Sequence, residues 1–125
     1  MTYDEIVPTM LRWLPGLEQA YRDEVSRQGD DVGVYIILAN VLVPSIREAV
    51  KQKADQKTLG QLFSFLEEMA RSTDIEVYNA LAVGVCELLG YDPEMLQEAR
   101  GYMGPGTRKA SDEIEAFWRR ARKPQ

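Results

Sequence analysis

Thr73-Asp74-Ile75-Glu76-Val77-Tyr78-Asn79-Ala80-Leu81-Ala82-Val83-Gly84-Val85-Cys86-Glu87-Leu88-Leu89-Gly90 decides the fold. Apolar residues occupy nearly every face of this segment, which predicts a central, buried helix rather than a surface one. Thr73 and Glu76 have the spacing of a capping box at its start. Gly90 predicts a left-handed cap at its end. Gly84 costs about 1 kcal/mol of helix propensity, so its presence predicts a close helix–helix contact. A line of Glu76, Asn79 or Ala80, Val83 and Glu87 forms a narrow polar stripe, expected to meet neighbouring loops or an open groove.

The periodicity on either side is also helical, and no stretch alternates as a half-buried strand does. Before the central segment, Leu59, Leu62, Phe63, Leu66, Met69 and Ala70 predict a fourth helix over about Lys57 to Arg71, hairpinned to the fifth. Val34, Tyr35, Leu38, Val41 and Leu42 begin a third helix, with Asp30 or Asp31 as its cap. Pro44 interrupts it before Ile46, Ala49 and Val50, so a kinked helix or two short ones are expected. The first helix opens at Thr2 with Glu5 as capping partner, and Pro8 implies a kink or a late start. Pro15 opens the second, which carries Leu17, Tyr21 and Val25 to the stop at Gly29-Asp30-Asp31.

After the central segment, Asp92-Pro93 caps a sixth helix with Met95, Leu96, Ala99 and Tyr102. A glycine-rich turn over 101–106 leads to a last helix from Thr107 to about Arg122. Asp112, Glu113 and Glu115 lie early in it and arginines late, as the helix dipole favours. The sum is an all-α, single-domain bundle of about seven helices over residues 1–125 with a buried fifth helix. Helical-repeat-like stacking remains compatible with the hairpins, although no sequence period stands out.

The chain has 125 residues, long enough for a core without disulfides or a structural metal. It has no His and a single Cys, Cys86. Ser-His-Asp and Cys-His nucleophile pairs, His- or Cys-rich zinc sites and an intrachain disulfide are therefore excluded. Cys86 has no basic neighbour in sequence and reads as a small buried hydrophobe. No apolar run reaches the roughly 18 residues of a membrane span, and no segment resembles a signal peptide, so the cytoplasm is the expected compartment.

The formal charge is −5, but Arg119, Arg120, Arg122 and Lys123 hold four of the 15 basic residues. Residues 1–118 carry 11 basic against 20 acidic residues, a balance of −9. Such a body repels phosphates and attracts basic proteins, so neither nucleic acid nor membrane is an expected partner. The carboxylates are the only acid–base candidates. Glu67-Glu68, Asp74 with Glu76, and Glu94 with Glu98 have no motif spacing and read as solvated or dipole-stabilising groups. The 101–106 glycines lack the Gly-Lys-Ser/Thr ending of a phosphate loop. No catalytic residue, metal site or cofactor is expected. Tyr91, Tyr102, Met103 and Trp118 read as packing for the C-terminal helices.

Several motifs resemble a known bacterial family. They are Leu62-Phe63-Ser64-Phe65-Leu66-Glu67-Glu68, Glu76-Val77-Tyr78-Asn79 leading to Cys86-Glu87-Leu88-Leu89, Tyr102-Met103-Gly104-Pro105-Gly106-Thr107, Phe117-Trp118, and Leu14-Pro15-Gly16-Leu17 with Tyr21. The chain is similar to small all-α immunity proteins of polymorphic toxin systems, including contact-dependent growth inhibition. Gly106 departs from the bulkier residue the family pattern suggests.

The resemblance implies a protein that binds and neutralises one cognate toxin C-terminal domain, in a one-to-one complex, by stoichiometric blocking. Many such toxins are nucleases with basic clefts, which an acidic surface can occupy. The acids at helix starts are then the partner-binding candidates: Asp30, Asp31, Asp74, Glu76, Asp92 and Glu94, with Glu87 in a groove. The alternative is a non-enzymatic helical adaptor or regulatory subunit with a groove beside the fourth and fifth helices.

Overall fold

A computed structural model describes residues 1–122. Lys123, the last residue of the basic tail, lies outside them. Among the described residues there are seven helices and no strand. Helix α1 (residues 3–13) starts as a 3-10 turn, Tyr3–Glu5, and becomes α-helical at Ile6–Trp13. Pro8 thus falls in the first α turn, where its missing N–H has no helical acceptor to lose. Helix α2 (residues 15–28) opens on Pro15. Helix α3 covers residues 34–51, α4 is Gln56–Arg71, and α5 covers residues 75–89. Helices α6 (Pro93–Arg100) and α7 (Pro105–Ala121) complete the bundle.

One hydrophobic cluster forms the core, drawing side chains from every helix. The fifth helix is central, as its composition implies. Val77, Ala80, Leu81, Ala82, Val85, Cys86 and Leu89 are buried on it, and it packs against α3, α4 and α7. Cys86 behaves as the buried hydrophobe expected, and burial pushes its thiol up to about 12.

Helix α3 is continuous, which resolves the choice left by Pro44. It passes the proline by widening one turn: the Val43 N–H reaches back five residues to the Leu38 carbonyl. A widened turn relieves the clash of the proline ring with the preceding turn. Helix α5 widens in the same way, from Glu87 to Ala82. The two wide turns pack against each other. Gly84 lies at that crossing, where a Cβ would stand 3.0 Å from Leu38 Cδ1 and 3.2 Å from Tyr35 Cδ1. The close contact expected of Gly84 is present.

Several ends differ from expectation. Helix α3 is capped by Gly33, and Asp30 and Asp31 sit exposed in the preceding turn instead. Gly29, at φ +101°, carries the chain out of α2 into that turn. The cap of α5 is Asp74, not Thr73, because its carboxylate accepts the Glu76 N–H at 3.0 Å. Gly90 is right-handed, with φ −69°. A Cβ there would lie 2.5 Å from the Glu115 carboxylate on α7, the movable end of a long side chain.

Helix α7 begins at Pro105 rather than Thr107, and its cap comes from another helix. Glu67 on α4 accepts the Gly106 N–H at 2.8 Å, the Thr107 N–H at 3.0 Å and the Thr107 hydroxyl at 2.9 Å. The negative carboxylate also suits the positive end of the helix dipole. A Cβ on Gly106 would come within 2.7 Å of Ala70 Cβ and 2.9 Å of Glu67, so the small residue is required where a bulkier one was expected. Glu67 is therefore a half-buried anchor and not a solvated acid. Burial pushes its carboxyl up, but the Thr107 and Gly106 donors outweigh this and hold it below its ordinary value.

The acids of α7 are cross-links as well as dipole partners. Glu113 accepts the Tyr78 hydroxyl from α5, and Asp112 pairs with Arg100 of α6 at 2.6 Å. On α3, Arg47 donates to the Leu88 carbonyl at 2.7 Å, placing a cation at the C-terminal end of α5.

Two outcomes check this account. Gly84→Val forces side-chain volume into the α3–α5 crossing and is expected to lower unfolding free energy by about 1–3 kcal/mol in urea titrations. Glu67→Gln is expected to cost about 1–2 kcal/mol at neutral pH through the lost cap. Because the folded carboxyl titrates below its ordinary value of 4.5, its contribution is full above that pH and disappears as pH falls through the lowered value. The stability gap between wild type and Glu67→Gln should therefore close in acid.

Candidate functional site

The outward edge of α5 is the polar stripe visible in its sequence. Glu76, Asn79 and Val83 are exposed, Glu87 is half-buried, and Ala80 belongs to the core. Steps of three and four residues keep these side chains on one line, and the eleven steps from Glu76 to Glu87 span about 16 Å of helix.

Two tyrosines stand beside the upper end of this line. Tyr35, on the first turn of α3, lies over Gly84 and remains open to solvent. Tyr3, at the start of α1, is held by its backbone, whose N–H donates to Asp74 Oδ2 at 2.9 Å. Tyr3, Tyr35, Glu76 and Asn79 together line a concavity of about 240 Å³. Burial raises the Tyr35 phenol, and the neighbouring Tyr3 and Glu76 raise it further. At the lower end, the Tyr91 hydroxyl donates to Glu87 Oε1 at 3.3 Å, and Glu87 in turn raises that phenol. Tyr91 is 67% exposed, so it does not pack the C-terminal helices as expected. Met103 is buried as expected, whereas Tyr102, with its ring 5.6 Å from Phe63, is still 43% exposed.

The seven candidate acids separate into two groups. Asp74 is a structural joint: one oxygen caps α5, the other fixes Tyr3, and its N–H donates to the Ser72 hydroxyl at 3.1 Å. The Ser72 hydroxyl donates to the Met1 carbonyl, closing the joint. Asp92 caps α6 by accepting the Met95 N–H at 3.3 Å. Glu76 and Glu87 lie on the outward line of α5. Glu94 is exposed in the first turn of α6, and Asp30 and Asp31 are exposed ahead of α3. Residues 28–46 and 72–99 contain no Lys or Arg, so the paired segments of α3 and α5 supply no cation of their own. Arg47, just beyond, is engaged with the Leu88 carbonyl.

One acid escaped the sequence reading. Glu24, at 1% exposure, accepts from Asn40 at 2.7 Å, Arg27 at 2.5 Å and Gln28 at 3.0 Å. The Asn40 bond, with Arg27 next, holds its carboxyl below the ordinary value. Its position three residues after Tyr21 was a signal that it faces inward. The arrangement ties α2 to α3 and leaves the carboxylate no room for a ligand.

A larger groove, about 410 Å³, lies elsewhere. It is floored by Leu14, Leu17, Ala49 and Leu62, between the α1–α2 joint and the start of α4. Glu48 on its rim accepts from Gln52 at 3.2 Å. This is not the position beside α4 and α5 expected for an adaptor groove. Among the described residues, no group of three His, Cys, Asp or Glu is placed to hold a metal ion, and no helix is long and apolar enough to cross a membrane.

Residues 7–119 match the model of a protein family described as Domain of unknown function (DUF7674). No curated protein and no solved structure matches the chain.

The two groups of acids differ in what their removal does. Asp74→Ala removes the α5 cap and the Tyr3 link together and is expected to cost about 1–2 kcal/mol. Asp30→Asn and Asp31→Asn should each stay within about 0.5 kcal/mol of wild type. Parallel chemical denaturation of the three variants measures the difference.

Proposed function

Because the chain belongs to the DUF7674 family, whose description assigns no activity, we propose its role from its surface: a non-enzymatic immunity protein that binds one cognate toxin domain and blocks it in a one-to-one complex. The observation that carries this reading is the outward edge of α5. It presents acids beside open tyrosines along about three turns of the central helix, and the paired segments 28–46 and 72–99 hold no cation.

Such a surface suits a basic protein cleft. Tyrosine supplies contact area at low entropic cost, and aromatic residues are enriched at interface centres. Uncompensated carboxylates speed encounter with a positive partner: steering raises association from about 10⁵–10⁶ to as much as about 10⁸–10⁹ M⁻¹s⁻¹ at low salt. A toxin whose substrate is a phosphate backbone carries a cleft of that sign, and an acidic helix edge placed there excludes the substrate. No bond needs to be made or broken for this, which agrees with a chain lacking histidine. The helices that present the edge are tied through Gly84 and Asp74, so little backbone ordering would be needed on binding.

The test begins with capture of the native complex from host cells by the tagged full chain, with mass spectrometry of what is bound. A near one-to-one complex with a C-terminal toxin fragment is the expected result. Recovery of a housekeeping assembly would replace immunity with an adaptor role. With the toxin domain in hand, Glu76→Lys/Glu87→Lys is expected to slow association at least about tenfold at low salt and to flatten its salt dependence. Unchanged kinetics in that variant would remove the α5 edge from the interface.

A further inference from the structure

We propose that the concavity between Tyr3, Tyr35, Glu76 and Asn79 is a receptor for one arginine side chain of the bound protein. This rests on the reading that the α5 edge meets a basic partner. The size selects the occupant class. At about 240 Å³ the concavity is smaller than the roughly 300–1,000 Å³ of small-molecule pockets, and it suits a single long side chain.

The lining selects the chemistry. Two tyrosines line it, and a planar guanidinium stacks on such rings. Glu76 supplies a carboxylate, which accepts a forked pair of N–H bonds. Asn79 supplies an amide oxygen for a further donor. Among the described residues no Lys or Arg pairs with Glu76, so its charge is available. An apolar side chain would leave the carboxylate and the amide unanswered. An acidic one would meet Glu76 at close range, with Asp74 just beneath it.

The backbones that carry the lining are held before anything binds. Tyr3 is anchored through its N–H to Asp74, Glu76 through its own N–H to the same carboxylate, and Tyr35 stands on the Gly84 crossing. The lining comes from three helices, α1, α3 and α5, whose backbones are held in register by these bonds and by the Gly84 packing. Holding the backbones in this way reduces the entropy lost on binding.

The experiment is an amide NMR titration of the full chain with acetyl-Gly-Arg-Gly-amide at low salt. The same peptide carrying citrulline or lysine in place of arginine serves for comparison. Saturable shifts centred on Tyr35, Glu76 and Asn79 are expected, with a dissociation constant on the order of 1 mM, and the citrulline peptide should produce none. Tyr35→Leu and Glu76→Gln should each weaken arginine-peptide binding about threefold to fivefold while amide spectra elsewhere remain those of the folded chain. The proposal is overturned by shifts spread evenly over Asp30, Asp31, Glu94 and the other exposed acids. It is equally overturned by lysine matching arginine, or by neither variant weakening binding. Its failure is separable from that of the toxin reading. Toxin capture without a localised peptide response removes the concavity alone, whereas a localised response without toxin capture removes the toxin alone.

Discussion

The crossing of α3 and α5 at Gly84 is the constraint on which the other features depend. Two helices can approach this closely only where one gives up its side chain, and Tyr35 and Leu38 occupy the space so released. Both helices widen a turn at that level, and the wide turns pack on each other. The contact sets how deeply α5 sits in the core. It thereby determines which of its residues are left outside, and it carries Tyr35 to the rim beside Glu76. The candidate binding edge is the remainder of a packing solution: the part of the most apolar helix that its neighbours do not cover.

The acids of this protein look alike in the sequence and do different work in the fold. Glu67 and Asp74 complete helix starts, the first across two helices and the second while holding the beginning of the chain. Glu24 is buried under three donors. Glu113 and Asp112 brace α7 against its neighbours. A carboxylate whose oxygens are engaged by N–H groups is poorly suited to meet a partner, since breaking those bonds costs what the new contact provides. With these set aside, Glu76 and Glu87 remain on the α5 edge, each beside a tyrosine. The negative charge of the chain thus has two uses, internal joints and an open surface, and the open portion is smaller than the composition suggests.

How far the sequence could be read depended on the range of the interaction involved. Helix count, the central position of the fifth helix, the Gly84 contact and the α5 stripe follow from periodicity and local composition. Caps supplied within a few residues, such as Asp92 before Met95, were legible for the same reason. The readings that changed involve distant partners. Gly90 suggested a left-handed cap, but its backbone is right-handed and the group that approaches it is Glu115, far along the chain. Gly106 looked like a departure until Glu67 and Ala70 were placed against it. Tyr91 looked like packing, yet nothing in the bundle covers it.

The sequence by itself determined that this chain is helical, that one helix would be buried on almost all sides, and that the remaining body would be strongly acidic. Those are sums over neighbouring residues, and helical periodicity exposes them directly. The tertiary structure decided which acids are joints, where the glycines are compelled, and that Tyr3, Tyr35, Glu76 and Asn79 share one concavity. Those four residues lie on three helices separated by dozens of positions. They come together because α3 crosses α5 at Gly84 and because Asp74 holds the start of α1, and neither contact has a local signature strong enough to reveal the other.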